Sequence, residues 1–201
     1  SQMDEIVVTG IRASLQRSMD IKRDSKGVVD GISAEDIGKF PDTNLAESLQ
    51  RITGVAIERD RGEGSKITVR GFGPDFNIVS FNGRQMPTNG GRSFDFGNIA
   101  SEGISAVEVY KSGRANVATG GIGAVVNVKT SKPLEMPGEK LVFSAKGVHD
   151  PGTRGGNAIN PEFAGLFSKT FSDDKFGVSL SLSSQERDGG VQSVTTQNFM
   201  G

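Results

Sequence analysis

The sequence has no cysteine and no tryptophan among its 201 residues, and His149 is its only histidine. Disulfides and cysteine-based zinc or iron–sulfur sites are therefore excluded, and so is a metal site built from several histidines. A Ser–His pair would have to use His149, and no nucleophile motif accompanies it. We expect neither enzymatic activity nor a bound cofactor.

The sequence also lacks two further features, and their absence argues against other classes of protein. There is no excess of one charge, because 23 basic residues face 24 acidic ones, and this balance argues against a nucleic-acid partner. No apolar run approaches the roughly 18 residues that a membrane-spanning helix needs. The run Gly121-Ile122-Gly123-Ala124 lacks the third glycine of a dinucleotide loop and leads into a β-branched strand, so it predicts a tight bend.

The N-terminus carries an isolated β-prone segment, Ile6-Val7-Val8-Thr9-Gly10, with Glu5 before it. A long polar stretch separates this segment from the next apolar strand. Such a segment suits pairing with the sheet edge of another protein. The alternative is an edge strand that folds back on its own domain.

Residues 28–137 are predicted to form a small mixed α/β unit, rich in turns because the chain holds 28 glycines. Its clearest helix follows Pro41 and Asp42, with Asn44 three residues before Glu47. The helix buries one face, ends at Gly54, and is preceded by a weak amphipathic stretch at 11–22 and a brief helix that Ser33 begins. The buried face consists of Leu45, Leu49 and Ile52.

Short strands fill the rest of this unit. Asn82-Gly83 after an alternating run is a strong hairpin signal, and the stretch 88–96 is predicted to be an exposed loop. The predicted strands are Val28–Ile32, Val55–Ile57, Ile67–Arg70, Val79–Phe81, Ile104–Lys111 and Ala124–Thr130.

The pattern changes after Pro137. Three segments, Leu141–His149, Phe163–Phe171 and Phe176–Ser183, alternate apolar with small or polar residues. A long loop, Asp150–Glu162, and a tight turn, Ser172–Lys175, connect them. This alternation is typical of a transmembrane β-barrel, whereas an ordinary β-sandwich is the alternative.

Together these segments resemble one family, the TonB-dependent receptors, in order and spacing. Thr53 stands where that family often has proline, and Lys111-Ser112-Gly113 stands where it often has Arg-Gly-Pro. The resembling segments are Asp4–Gly10 (the TonB box), Asn44–Val55, Ile67–Phe72, Val107–Ser112 and Gly121–Val128.

The resemblance implies an α+β fold, with a mixed-sheet plug that has short helices, followed by antiparallel strands of a truncated transmembrane β-barrel. The plug would lie in the barrel lumen in the bacterial outer membrane, with a periplasmic N-terminus. Glu5, Ile6, Val7, Val8 and Thr9 would bind a TonB-type energy-transducing partner. Such a protein imports a small extracellular ligand, and Lys111-Ser resembles the branch linked to oligosaccharides. A ferric siderophore or another metal chelate is the alternative.

The resemblance also implies roles for individual side chains. Arg70 and Lys111 would form ion pairs with barrel carboxylates, with Lys111 the looser partner because an ammonium cannot make a bidentate fork. Two loops, 72–77 and 84–96, combine aromatic faces with hydrogen-bonding groups, which suits sugars and siderophores alike. The alternative is that these loops only contact the barrel wall. The predicted ligand-facing residues are Phe72, Asp75, Phe76, Asn77, Arg84, Asn89, Arg92 and Phe94.

The predicted organisation is a TonB box at 1–10, a linker or short helix at 11–27, the plug at 28–137 and barrel strands at 138–201. A barrel of roughly 22 strands with roughly 10 residues each leaves room here for about three. Their unpaired edges predict self-association. A non-transporting signalling module and a soluble β-rich binding domain remain alternatives.

Overall fold

The computed structural model of the chain describes residues 16, 18–24, 27–33, 44–60, 62–88, 91–97, 99, 103–135, 137–149 and 159–186. The predicted TonB box and the predicted brief helix after Ser33 lie outside the described residues, as do Pro41, Asp42 and Asn89. Within the described residues, no helix has the length and apolar character needed to cross a bilayer.

The part of the chain that the structure describes contains ten strands and few helical segments. Residues 18–24 are helical and precede the first strand. Two 3₁₀ turns, Pro74–Phe76 and Pro133–Glu135, connect elements. The elements are β1 (Val29–Ser33), α1 (Leu45–Leu49), β2 (Val55–Asp60), β3 (Glu63–Val69), β4 (Asn77–Phe81), β5 (Arg84–Gln85), β6 (Ile104–Tyr110), β7 (Ala124–Thr130), β8 (Glu139–His149), β9 (Ile159–Phe171) and β10 (Phe176–Gln185).

A five-stranded mixed sheet forms the centre of the plug, in the order β1-β6-β7-β4-β5. The β4–β7 pair is parallel and the other pairs are antiparallel. One face of this sheet packs against α1 and the β2–β3 hairpin. The predicted α+β class with a mixed sheet is therefore confirmed. The largest fully buried side chains of this core are Phe96, Leu45, Leu49, Ile67, Val69, Val107, Val109, Val126 and Val128.

Helix α1 is capped at its N-terminal end and ends at Leu49, earlier than the predicted Gly54, because residues 50–54 form turns. Asn44 has an extended backbone, and its side-chain oxygen accepts a hydrogen bond from the Glu47 N–H at 3.3 Å, as an N-cap does. Its amide also donates to the carbonyl of Gly64 at 2.7 Å. Gly54 has a φ of 75° and turns the chain into β2. Leu45, Leu49 and Ile52 are buried, so the predicted face is confirmed.

The Asn82-Gly83 hairpin is present as predicted. Both residues have positive φ, 49° and 81°, which a two-residue type I′ turn requires. The side chain of Asn82 also bonds the hydroxyl and the backbone N–H of Thr130 at 2.9 and 3.1 Å. This turn is therefore tied to the end of β7, where the chain leaves the plug.

The second sheet is antiparallel, in the order β10-β9-β8. One face is apolar and open, with Leu141 79% and Phe143 74% exposed, whereas Ala164, Leu166 and Ser168 on the other face are buried. The predicted alternation is present. The predicted loop Asp150–Glu162 is too long, because β9 already begins at Ile159 and pairs with β8 there.

The buried face of this second sheet contacts the plug. A Cβ placed on Gly103 would lie 3.2 Å from the Ser181 Oγ, and one on Gly177 would lie 2.6 Å from Pro133. Glycine at 177 is therefore required by the close approach of the 3₁₀ turn that joins the plug to β8.

Candidate ligand-binding surface

Three loops of the plug are hydrogen-bonded into one surface. Asp75 Oδ1 accepts hydrogen bonds from the backbone N–H groups of Arg92 at 3.1 Å and Ser93 at 2.9 Å. The Phe96 N–H donates to the Ser65 carbonyl at 2.7 Å. The segment 91–96 therefore joins the turn 73–76 on one side to the β2–β3 hairpin on the other.

A cleft of about 690 Å³ lies between the β2–β3 hairpin and residues 87–88 and 93–95, and we call it the hairpin–loop cleft. Phe94 forms part of its wall and packs edge-on against Phe96, with ring centroids 5.0 Å apart. Because Phe96 is fully buried, this wall is anchored in the core. The cleft is lined by Glu58, Arg59, Asp60, Ser65, Lys66, Pro87, Thr88, Ser93, Phe94 and Asp95.

Most of the charged groups in this cleft remain available to a ligand. Arg59 is the exception, because it donates to Glu47 Oε1 at 2.8 Å and to the Gly62 carbonyl at 3.0 Å. Asp95 Oδ1 accepts from the Gly97 N–H at 2.8 Å and keeps its second oxygen free of any described partner. Such groups can bind donors or charges on a small molecule.

An aromatic platform adjoins the turn 73–76 and consists of Phe72, Phe76 and Ile122. These side chains are 40%, 49% and 63% exposed, and the two rings meet edge to face at 6.1 Å. The Gly123 N–H donates to the Phe76 carbonyl at 3.0 Å. The platform therefore presents apolar surface for an apolar or planar part of a ligand.

The bend at 120–123, which carries Ile122, depends on glycine. A Cβ on Gly121 would lie 2.2 Å from the Ala124 carbonyl oxygen, which no side chain can tolerate. Arg70 donates to the carbonyls of Ile122 at 3.1 Å and Gly123 at 2.8 Å. Arg92 donates to the Gly120 carbonyl at 2.9 Å. The two guanidinium groups thus hold the bend.

Five of the predicted ligand-facing residues lie on this surface: Phe72, Asp75, Phe76, Arg92 and Phe94. Asp75 and Arg92 mainly hold the loops together through hydrogen bonds, whereas the aromatic side chains form the surface itself. Asn89 lies outside the described residues.

Two of these predictions need correction. Asn77 is 2% exposed and donates to the carbonyls of Ile67 and Gly73, because it begins strand β4 rather than ending a loop. Its buried side chain therefore supports the turn 73–76 from the interior of the plug. Arg84 is exposed but pairs with Phe81, at the other end of β4 from Asn77. It is not among the residues that line the cleft.

The structure gives Lys111, predicted to pair with a barrel carboxylate, partners inside the plug instead. Its side chain is 7% exposed and bonds Asp30 Oδ2 at 2.5 Å and the Thr53 carbonyl, both within the plug. Lys22, in the helical segment 18–24, holds the other oxygen of Asp30 at 2.5 Å. Lys111 therefore joins β6, β1 and the turn after α1.

The two lysines set the protonation of Asp30. Burial by itself raises the pKa of this carboxyl, but the hydrogen bonds from Lys111 and Lys22 outweigh burial and leave the pKa below its usual 3.8. Asp30 is therefore ionised at neutral pH and ties the helical segment to the plug.

A second polar cluster lies on the sheet face opposite the core. Glu108 is bonded by Lys129 at 2.5 Å and by the Tyr110 hydroxyl at 2.6 Å. Burial raises the pKa of Tyr110 to about 12, with help from the bond to Glu108. The cluster joins β6 to β7 and takes no part in the loop surface. Among the described residues, no group of three or more acidic, histidine or cysteine side chains is placed to hold a metal ion.

The sequence reasoning missed the hairpin side of the cleft. Glu58, Asp60 and Lys66 were not expected to face a ligand, because the stretch 55–70 indicated only two strands joined by a turn. Asp95, on the loop side, was not named among the ligand-facing residues either. The dense charge around two glycines at the hairpin tip was the available signal.

The plug fold and its convergent loops define a class of protein, and comparison with known families gives the same class. Residues 21–125 match the TonB-dependent Receptor Plug Domain, which covers more than half of the chain. The chain belongs to this family.

Individual relatives are distant. The ferric enterobactin receptor PirA of Pseudomonas aeruginosa is 27% identical over 172 residues, which are 71% of this chain and 23% of that protein. The vitamin B12 transporter BtuB of Photobacterium profundum is 29% identical over 112 residues, 55% of this chain and 18% of that protein. The chain thus spans less than a quarter of the length of these relatives.

Solved structures share the fold. The unliganded ferric citrate transporter FecA has a TM-score of 0.64 at 23% identity, and the match covers 80% of this chain and 25% of that one. The alcaligin receptor FauA of Bordetella pertussis has a TM-score of 0.56 at 17% identity, and the match covers 80% of this chain and 26% of that one. At such identities the likeness establishes the fold.

Proposed function

We propose that the chain is the plug and the opening barrel strands of an outer-membrane transporter that imports a metal chelate. The observation that carries this proposal is the single loop surface on a plug-family fold, with a cleft of about 690 Å³ beside the aromatic platform. A concave surface of this size, with a few polar groups and an apolar part, is typical of sites for small molecules.

The relatives favour a chelate over an oligosaccharide as the ligand. By their names, PirA receives ferric enterobactin and BtuB transports vitamin B12, a cobalt complex. The relatives give no support to the oligosaccharide branch that Lys111-Ser resembles. The metal would therefore arrive as part of the cargo.

The membrane setting is supported by the second sheet. Strands β8, β9 and β10 expose one apolar face and cover the other against the plug, as the first strands of a barrel around a plug would do. In this arrangement the plug lies in the lumen and the N-terminus is periplasmic. Arg70 stays the proposed plug partner of a barrel carboxylate.

Energy would enter through the segment Glu5 to Thr9. A TonB-type partner would bind it as an added strand, through main-chain hydrogen bonds. The helical segment 18–24 follows along the chain, and the ion pair Lys22–Asp30 connects it to β1. A pull on the N-terminus would therefore reach the edge strand of the central sheet.

The test is uptake of a radiolabelled ferric siderophore by cells that carry the full-length receptor. Val7→Pro removes a main-chain donor and blocks strand pairing, so we expect uptake to fall to background while binding to the cell surface persists. Ile6→Val is the matched control and should keep both the uptake and the binding to the cell surface. Uptake by the Val7→Pro receptor at the wild-type rate would contradict the proposal.

A further inference from the structure

We propose that the hairpin–loop cleft selects chelates that are uncharged or positively charged and disfavours polyanionic ones. This inference rests on the proposed function and names the class of chelate. It follows from the charges that line the cleft and from which of them already have partners.

The described lining of the cleft has a surplus of negative charge. Three carboxylates, Glu58, Asp60 and Asp95, face two cations. One of these cations, Arg59, is already neutralised by its ion pair with Glu47, at 2.8 Å. Lys66 is the remaining cation.

The carboxylates also keep free acceptor positions. Glu58 receives only a long hydrogen bond of 3.4 Å from the Thr68 hydroxyl, and Asp95 receives one from its own turn. The Asp60 carboxylate has no partner within the described part of the chain. A ligand that brings N–H, O–H or ammonium donors can satisfy these oxygens without displacing a bond of the plug.

A polyanionic chelate would meet repulsion in the same place. Ferric complexes of three catecholates or of citrate carry several negative charges, whereas ferric trihydroxamates are neutral or, with a free amine, cationic. Because the three carboxylates are solvent-exposed, each contributes a screened effect, about two- to fivefold in affinity. Together they would separate the two classes of chelate by about one to two orders of magnitude.

The two sides of the cleft make the charge effect specific. Glu58, Asp60 and Lys66 come from the hairpin, whereas Asp95 comes from the loop anchored by Phe96. A ligand between these walls meets carboxylates from both directions. Amide replacements keep size and shape, so they isolate charge from packing.

The experiment measures binding of two probes to the full-length receptor in detergent, by isothermal titration calorimetry. The cationic probe is the ferric complex of desferrioxamine B, and the anionic probe is the ferric complex of enterobactin. The variants are the double replacement Glu58→Gln with Asp95→Asn, the single Lys66→Gln, and the control Asp173→Asn in the β9–β10 turn, far along the chain from the cleft.

The wild type should bind the cationic probe more tightly than the anionic one. The double variant should lose about tenfold for the cationic probe and gain about tenfold for the anionic one. Lys66→Gln should shift both affinities the opposite way, and Asp173→Asn should shift neither.

Two other outcomes overturn different claims. Tighter binding of the anionic probe, unchanged in the double variant, would refute the charge selection and leave the receptor function standing. Binding of neither probe, together with no energy-dependent uptake of either, would refute the proposed chelate function itself, and the selection with it.

Discussion

Asp30 shows how one partly buried carboxylate connects three elements of the plug. It lies in β1 and is held by Lys111 from β6 and by Lys22 from the helical segment 18–24. The lysines differ in exposure, since the Lys111 side chain is 7% exposed and that of Lys22 is 55% exposed. The inner pair therefore stabilises the sheet, whereas the outer pair is weakened by solvent.

Asp30→Asn should lower the free energy of local opening of β1 by about 3 kcal/mol, because it leaves the Lys111 ammonium buried without its counterion. Hydrogen–deuterium exchange of the β1 and β6 amides measures this change. Lys22→Gln is the control and should cost less than about 1 kcal/mol. Equal effects of both variants would contradict the assigned roles.

The same carboxylate predicts how stability depends on pH. The pKa of Asp30 is lower in the folded state than its usual 3.8, so its contribution is present above that value and is lost as the pH falls through the folded pKa. Glu108 also has a lowered pKa and adds to the acid sensitivity. As the pH falls below about 4, the amides of β1 should therefore lose less protection from exchange in Asp30→Asn than in the wild type, although some loss remains.

At the scale of the elements, the bend at 120–123 that precedes β7 determines the shape of the proposed ligand surface. Its chain passes so close to Ala124 and Ile78 that Gly121 has no room for a side chain. The carbonyl groups of this bend accept hydrogen bonds from the side chains of Arg70 and Arg92. A shift of the bend would therefore move both the platform and the loop surface.

Gly121→Ala should destabilise the β4–β7 pair by about 1–3 kcal/mol, the usual cost of overpacking. It should also weaken chelate binding by the full-length receptor. Gly113→Ala is the matched control, because a Cβ there meets nothing within 4 Å. Amide exchange in β4 and β7 reports the difference, and identical exchange in both variants would show that the bend is not restrictive.

Elements determined by local chemistry could be predicted from the sequence. The Asn44 cap, the Asn82-Gly83 hairpin and the alternating strands each depend on residues a few positions apart. Their bounds differ from the prediction mainly where a strand includes residues outside the alternating pattern, as β9 does at Asn160, Pro161 and Glu162.

The ligand surface was less predictable, because it depends on contacts between distant segments. Phe96 lies in a polar, glycine-rich stretch, yet it is fully buried since its N–H pairs with Ser65 on β3. Asn77 and Arg84 were assigned to loops, but strand pairing places one inside and the other at the far end of the sheet. The partner of Lys111 lies 81 residues away, which no local pattern indicates.

The whole molecule combines a plug with a closed core and a three-stranded sheet with one open face. That face carries Phe143, Phe176, Leu180 and Leu182, among other large apolar side chains. An uncovered apolar surface of this extent is uncommon on soluble monomers. It is consistent with strands that face lipid in the proposed barrel.

The 201-residue chain, produced by itself in detergent-free buffer, should therefore self-associate, through the apolar face and the unpaired edges of β8 and β10. Light scattering after size-exclusion chromatography measures the mass. Leu180→Ser with Leu182→Ser should reduce association, whereas Ser179→Ala, on the other face, should not. A stable monomer in plain buffer would contradict the lipid-facing assignment.

The central claim, coupling of this plug to an energy-transducing partner, is tested most directly by titrating the full-length receptor with the periplasmic domain of a TonB-type protein. We predict saturable binding by the wild type and by Ile6→Val, and a loss of at least about tenfold in affinity for Val7→Pro, since the added strand needs an unbroken run of main-chain donors. Equal binding by the wild type and Val7→Pro would contradict the claim, because the N-terminal segment would then not be the coupling element.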